Sequence, residues 1–240
     1  MTTFKAIRAR AEKRKGGKAA LEALLPPVIS NDALALVGDD RFLAEMTKRI
    51  FCSGFVWKVI EQKWPAFEEA FLHFDVPRLC FEPDELWEKL ASDARIVRHP
   101  QKIKSVRENA RFVSAISKEH GGFGKFLAAW PRDDQAGLLD LLAKKGSRLG
   151  GRTGQYFLRF AGWDGWVLST DVVACLRDAG CDIAETPTSK KDLAKAQQLL
   201  NAWAKESTLS MTHVSRICAM SIGENYAPER LAGMGSGDEA

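Results

Sequence analysis

The residues best placed to do chemistry lie between positions 146 and 171. The run GSRLGGRTG, from Gly146 to Gly154, places glycines where one helical pattern stops and another starts at once. Glycine reaches backbone angles that other residues avoid, so successive N–H groups can converge on a single point. Such a bend, at the positive end of the following helix, suits a phosphate. Arg148 and Arg152 add charge on either side, with Gly150, Gly151 and Thr153 between and beside them. A plain glycine-closed helix turn with no ligand fits the same residues. Asp171 follows eighteen residues after Thr153, in the run Ser169, Thr170, Asp171 ahead of an apolar stretch. Any of these three side chains can cap a helix; the sharper reading makes Asp171 a catalytic carboxylate.

Aromatic side chains form the second group. Trp57 follows Ser53, Gly54, Phe55 and Val56, and Tyr156 lies just past the glycine bend. A planar base needs a π-surface to stack on, and Trp57 is the first candidate, with Phe51 and Tyr156 behind it. Core packing is the alternative for each. Phe55, beside Gly54, is either a wedge or a buried ring.

These groups need elements to hold them, and the periodicity is helical nearly everywhere. Phe42, Leu43, Met46, Ile50 and Phe51 stack on one helix face. Ile103, Val106, Ala110, Val113 and Ile116 do the same over 100–119, closed by Gly121 and Gly122. Leu138 to Leu142 predict a short helix ended by Gly146, and residues 152–163 predict another. Ser189 opens a long helix and Ser210 a last one. Pro65, Pro77, Pro83, Pro100 and Pro187 read as turn signals. No segment alternates long enough for a strand. The expectation is an all-α globule of about ten short helices.

The chain has 240 residues and a net charge of +4. That modest total hides two basic blocks. Residues 1–20 carry seven basic side chains and one acidic, and residues 95–160 carry fourteen and five. A polyanion would be drawn to both, and its binding would weaken with salt. Residues 1–30 read as a basic arm or helix, 31–222 as the helical domain with its hairpin at about 146–154, and 223–240 as a flexible tail. The basic start has no apolar block behind it, and no apolar run approaches a membrane span. Five cysteines with no CxxC pair argue against a disulfide framework. A reducing, cytoplasmic setting is expected.

Taken together, these motifs resemble the helix–hairpin–helix DNA glycosylase superfamily, and more closely the 3-methyladenine DNA glycosylase I family. In the superfamily an LxGxG-type hairpin and its Thr are followed by an aspartate, and Gly150, Arg152, Thr153 and Asp171 take those places. The closer family is similar in Ser53 to Trp57, in the run IVRHPQKI from Ile96 to Ile103, and in Asn109, Ala110 and Arg111. The resemblance implies a glycosylase of base excision repair that flips a damaged purine, alkylated or deaminated, out of duplex DNA. It implies Asp171 as the group that stabilises the sugar cation, and a pocket of Trp57, Phe51, Tyr156 and Arg49. DNA contacts would come from Phe55, Arg148, Gly150, Gly151, Arg152 and Thr153. The partner would be damaged double-stranded DNA, handled by a nucleoid-associated monomer with no membrane contact.

The chain departs from that family in three ways. The family's zinc ligands are missing, with Asp171 standing where a His is expected and only Cys175 in place, so no metal and no cofactor are expected. The family's base-recognising glutamate is replaced by Arg49. Arg152 replaces the lysine of bifunctional superfamily members, and a guanidinium cannot act as an amine nucleophile. Hydrolysis by water, a monofunctional activity, is therefore expected. A non-catalytic helix–hairpin–helix DNA-binding module is the alternative.

Overall fold

Helix starts are written in the chain as polar caps. Thr3, Ser30, Asp75, Ser169, Ser189 and Ser210 each accept a hydrogen bond from an amide of the first turn that follows. The computed structural model describes residues 2–227, and these are helical with no strand. In chain order the helices are α1 (Phe4–Lys15), α2 (Lys18–Ala23), α3 (Asn31–Ala35), α4 (Asp39–Cys52), α5 (Trp57–Ala70), α6 (Val76–Phe81) and α7 (Asp84–Ser92). They continue with α8 (Pro100–His120), α9 (Phe123–Ala129), α10 (Gln135–Lys145), α11 (Gly151–Phe160), α12 (Thr170–Asp178), α13 (Lys190–Ser207) and α14 (Met211–Ser221).

The all-α expectation holds, but the described residues contain fourteen helices rather than about ten. Several of the prolines read as turns sit within helices. Pro77 and Pro100 sit in the first turns of α6 and α8, where a missing N–H costs nothing. Pro65 lies inside α5, where Ile60 and Phe67 are buried on either side of it. Tertiary packing overrides the local break. No helix among the described residues is long and apolar enough to cross a membrane.

The chain divides into two compact units. One unit comprises Ile29–Trp130 and Leu138–Trp163. In it α4 packs on α5, α8, α9 and α11. Phe42, Leu43, Met46 and Ile50 meet Ile103, Val106, Ala110 and Val113 in its core, all buried. Between α5 and α6, Leu72, His73 and Phe74 hold φ values of 55°, 53° and 60°. Each such residue costs roughly 1–2 kcal/mol. Arg41 on α4 secures this left-handed turn by donating to the His73 carbonyl at 3.1 Å and to both Glu68 oxygens at 2.9 and 3.1 Å.

The other unit comprises Met1–Val28, Pro131–Gly137 and Asp164–Ala240, of which 228–240 lie outside the described residues. Its basic first helix is part of the folded unit. Phe4, Ile7 and Ala11 are buried, and α1 packs on α14. Arg10 pairs with Asp178 at 2.8 Å. Arg14 donates to the carbonyls of Met220 and Gly223 at 3.0 and 2.7 Å, and Lys15 to Asn225 Oδ1 at 2.8 Å. Arg14 and Lys15 thus hold the segment that ends α14, and Arg10 the end of α12. Of the tail expected at 223–240, Gly223 and Asn225 take part in those contacts.

Candidate active site and nucleic-acid interface

The glycine bend joins α10 to α11, and buried Asn109 on α8 fixes its shape. The Asn109 amide donates to the Ser147 carbonyl at 3.0 Å and accepts from the Ser147 N–H at 2.8 Å. Arg148 has a positive φ of 60° and its guanidinium donates to Gln101. Leu149 is buried beneath the bend, while Arg148, Gly150, Gly151 and Arg152 are exposed and Thr153 is half-buried. Gly150 caps α11 without any side-chain hydrogen bond. The first amides of α11 are therefore left without the side-chain acceptor that most caps supply.

The same helix carries the aromatic cluster. Trp57, at the start of α5, meets Tyr156 edge-on at 5.4 Å and Phe160 at 5.8 Å. Arg49 on α4 lies over two of these rings, its guanidinium carbon 4.6 Å from the Trp57 centroid and 4.0 Å from that of Phe160. Its Nε lies 2.6 Å from Glu45 Oε1 one turn earlier. Burial pushes the Glu45 carboxyl up, and Arg49 opposes that shift. Glu45 and Phe160 also line a cavity of about 330 Å³, whose other walls include Arg41, Lys48, Trp64 and Glu68.

Trp57, Tyr156 and Arg49 are thus brought together as the sequence suggested. Phe51 is not among them. It is fully buried and packs edge-on against Phe67 at 4.8 Å, so it is a core side chain. Glu45 and Phe160 went unnoticed in the sequence. The signal for Glu45 was its i,i+4 spacing to Arg49.

Phe55 stands 40% exposed on the loop between α4 and α5, beside Val56 at 67%. Lys102, in the first turn of α8, holds this loop. Its ammonium donates to the carbonyls of Phe51 at 3.2 Å and Ser53 at 2.5 Å, and sits 4.5 Å from the Phe55 ring centroid. His99 caps the same helix, its Nδ1 accepting from the Lys102 amide at 3.3 Å. Burial, reinforced by Arg148, pushes the Lys102 pKa down to about 8. Below that pH both folded and unfolded chains carry the proton, and the burial cost is felt in full. From about 8 up to its ordinary value of 10.5 only the unfolded chain keeps it, so folding gains while the cationic grip on Phe55 is lost. Thermal unfolding followed across that range is expected to show Tm rising with pH more steeply than in Lys102→Met, which has no such proton to lose.

In the other unit Asp171 occupies the first turn of α12, which Ser169 caps. The carboxylate is half-buried, opposes the lowering of the Lys15 pKa, and lies so close to Gly223 that a Cβ there would collide with it. Cys175, one turn further along α12, accepts from Ser221 Oγ at 3.4 Å and has Cys218 as its other neighbour. Two thiols and a hydroxyl do not make a four-ligand zinc centre. Among the described residues no three His, Cys, Asp or Glu side chains gather as metal ligands.

One comparison bears on what this arrangement is for. Residues 35–137 match the methyladenine glycosylase family. The matched stretch holds Arg49, Phe55, Trp57, Lys102 and Asn109, and it is the same family that the sequence motifs resemble. It ends before the glycine bend and Asp171. A structure of 3-methyladenine DNA glycosylase I from Staphylococcus aureus, described for its recognition of 3-methyladenine, is similar at 24% identity and a TM-score of 0.48. The likeness covers 53% of this chain and 78% of that one. A crystal structure of 3-methyladenine DNA glycosylase I is similar at 21% identity and a TM-score of 0.46, over 52% of this chain and 80% of that one. No curated protein matches the chain.

Proposed function

We propose that the chain is a monofunctional DNA glycosylase that removes a modified purine from duplex DNA. The observation that carries this reading is the build of α11. Its exposed first turn offers amides with no side-chain cap, and its inner face presents Tyr156 and Phe160 to Trp57. At about 1.5 Å of rise per residue, Tyr156 stands only some 7–8 Å along the axis from Gly151. One rigid helix thus joins a phosphate-binding bend to a stacking surface.

In this reading the bend holds the backbone through its amides, with Arg148 and Arg152 adding charge. Phe55 fills the gap left when the nucleotide rotates out, and the base stacks on Trp57. Cleavage sends the C1′–N electron pair out with the base, which takes up a proton, and water adds to C1′. Asp171 is the carboxylate assigned to stabilise the positive sugar and orient that water. With Arg152 beside Thr153, no amine is offered there for a covalent intermediate. No metal or cofactor takes part, and a monomer working on nucleoid DNA in the cytoplasm suffices.

The test is abasic-site formation on duplexes carrying alkylated or deaminated purines, read by alkaline strand cleavage. A second reading has one observation in its favour: Arg49 already covers the Trp57 and Phe160 rings. A DNA-binding module without chemistry would then show salt-dependent binding and no turnover on any lesion. Both readings need the bend. Arg148→Ala and Arg152→Ala are each expected to weaken DNA binding regardless of sequence and to lower the salt slope by about one. Unchanged affinity in the double variant would place the DNA elsewhere.

A further inference from the structure

We propose that Arg49 makes the base pocket select a neutral purine bearing an oxo group, as deaminated purines do, over a cationic alkylated purine. The inference rests on the glycosylase reading and names the substrate class of that same site.

Arg49 is 4% exposed, lies against Trp57 and Phe160, and is tied to Glu45 at 2.6 Å. An aromatic slot beside a carboxylate would ordinarily favour a cation. Here that preference is already met from within the chain. The guanidinium stays protonated, and the Glu45 carboxylate is engaged by it. A positively charged base stacked on Trp57 would meet a second positive charge on the same ring and no free carboxylate to offset it.

Displacing Arg49 is no remedy. Burial drives the Glu45 carboxyl toward its neutral form, and the charge of Arg49 is the main influence that counters this. Its departure would leave the half-buried Glu45 without its ion-pair partner. Arg49 therefore remains, and what it offers is a donor: its Nη1 is buried with no hydrogen-bond partner among the described residues. A guanidinium fork matches an oxo group with the adjacent ring nitrogen of a purine, as it matches guanine in duplex recognition. The amino group of an alkylated adenine would instead face donor to donor.

The experiment compares release of hypoxanthine, xanthine, 3-methyladenine and 7-methylguanine from otherwise identical duplexes under single-turnover conditions. Each rate divided by that of uncatalysed loss of the same base, the oxopurines hypoxanthine and xanthine are expected to be accelerated at least tenfold more than the cationic bases. Arg49→Gln should lower oxopurine release about 100-fold, and Arg49→Glu should reverse the preference. Greater acceleration of the cationic bases by the unaltered chain overturns the role of Arg49 while leaving the glycosylase reading intact. Release of no base at all overturns the glycosylase reading. Binding of the free bases to the unaltered chain, followed by tryptophan fluorescence and referenced to Trp57→Phe, then decides the selectivity by itself. Quenching by hypoxanthine but not by 3-methyladenine, at a pH acid enough to protonate the latter, supports it, and the opposite order or no difference overturns it. That measurement needs no Arg49 variant to fold.

Discussion

Replacing Asp171 with asparagine is expected to lower base release by about 1000-fold while leaving DNA affinity within about twofold. The magnitude follows from removing the charge that faces a developing sugar cation, a loss of roughly 4 kcal/mol of transition-state stabilisation. Asparagine keeps the shape, so the polar neighbourhood of residues 15 and 223 stays filled. The position favours an ionised group: it lies in the first turn of α12, where the helix dipole supports negative charge. Single-turnover alkaline cleavage reads the chemistry, anisotropy reads the binding, and thermal unfolding reads the fold. Wild-type rates with a lowered Tm would make Asp171 a tether for the segment after α14 and take it out of the reaction. Lys15→Met separates the two roles further. It removes a cation near Asp171 and a donor to Asn225, so a tether would loosen in both variants, whereas a catalytic carboxylate would suffer only in the first.

How much of this was legible in the chain depends on how far apart the cooperating residues stand. Local signals read well. Ser189 and Ser210 start α13 and α14 as their capping chemistry predicts, and Gly121 closes α8 with a φ of 75°. The glycine bend and the Trp57 segment were visible for the same reason, since each is a contiguous pattern. What could not be read is set by distant partners. Pro65 looks like a break until Phe67 and its stacked neighbours Trp64 and Phe71 are seen to hold α5 together. The charges of α1 look like a free arm because their acceptors, Asp178 and the Met220 carbonyl, lie 168 and 206 residues away. Glu45 looks like one more solvated helix charge, and only the approach of Phe160 and Arg49 makes it a half-buried wall of the cavity. Phe51 failed in the opposite direction: next to the loop of Gly54 and Phe55 in sequence, its ring turns inward to Phe67.

Two glycines of the hairpin separate stability from DNA binding, and replacing each with alanine should show it. A Cβ on Gly154 would collide with the Leu149 carbonyl and come within 3.2 Å of Leu139 Cδ2. Backbone stands on one side of it and buried core on the other, so neither can give way cheaply. Gly154→Ala is expected to cost about 3 kcal/mol of stability, of the order that overpacking a tight core produces. Gly151 is different. Its φ is 58°, so alanine there pays the left-handed penalty of roughly 1 kcal/mol. A Cβ on it meets nothing within 4 Å, which leaves the protein undisturbed but puts a methyl group beside the amides at the head of α11. A phosphate seated on those amides would be pushed away, and DNA affinity should fall tenfold or more with only a small drop in Tm. Chemical denaturation and anisotropy on the same two variants give the contrast directly. If Gly151→Ala binds DNA as the unaltered chain does, the bend is a structural turn and the backbone is gripped by some other surface.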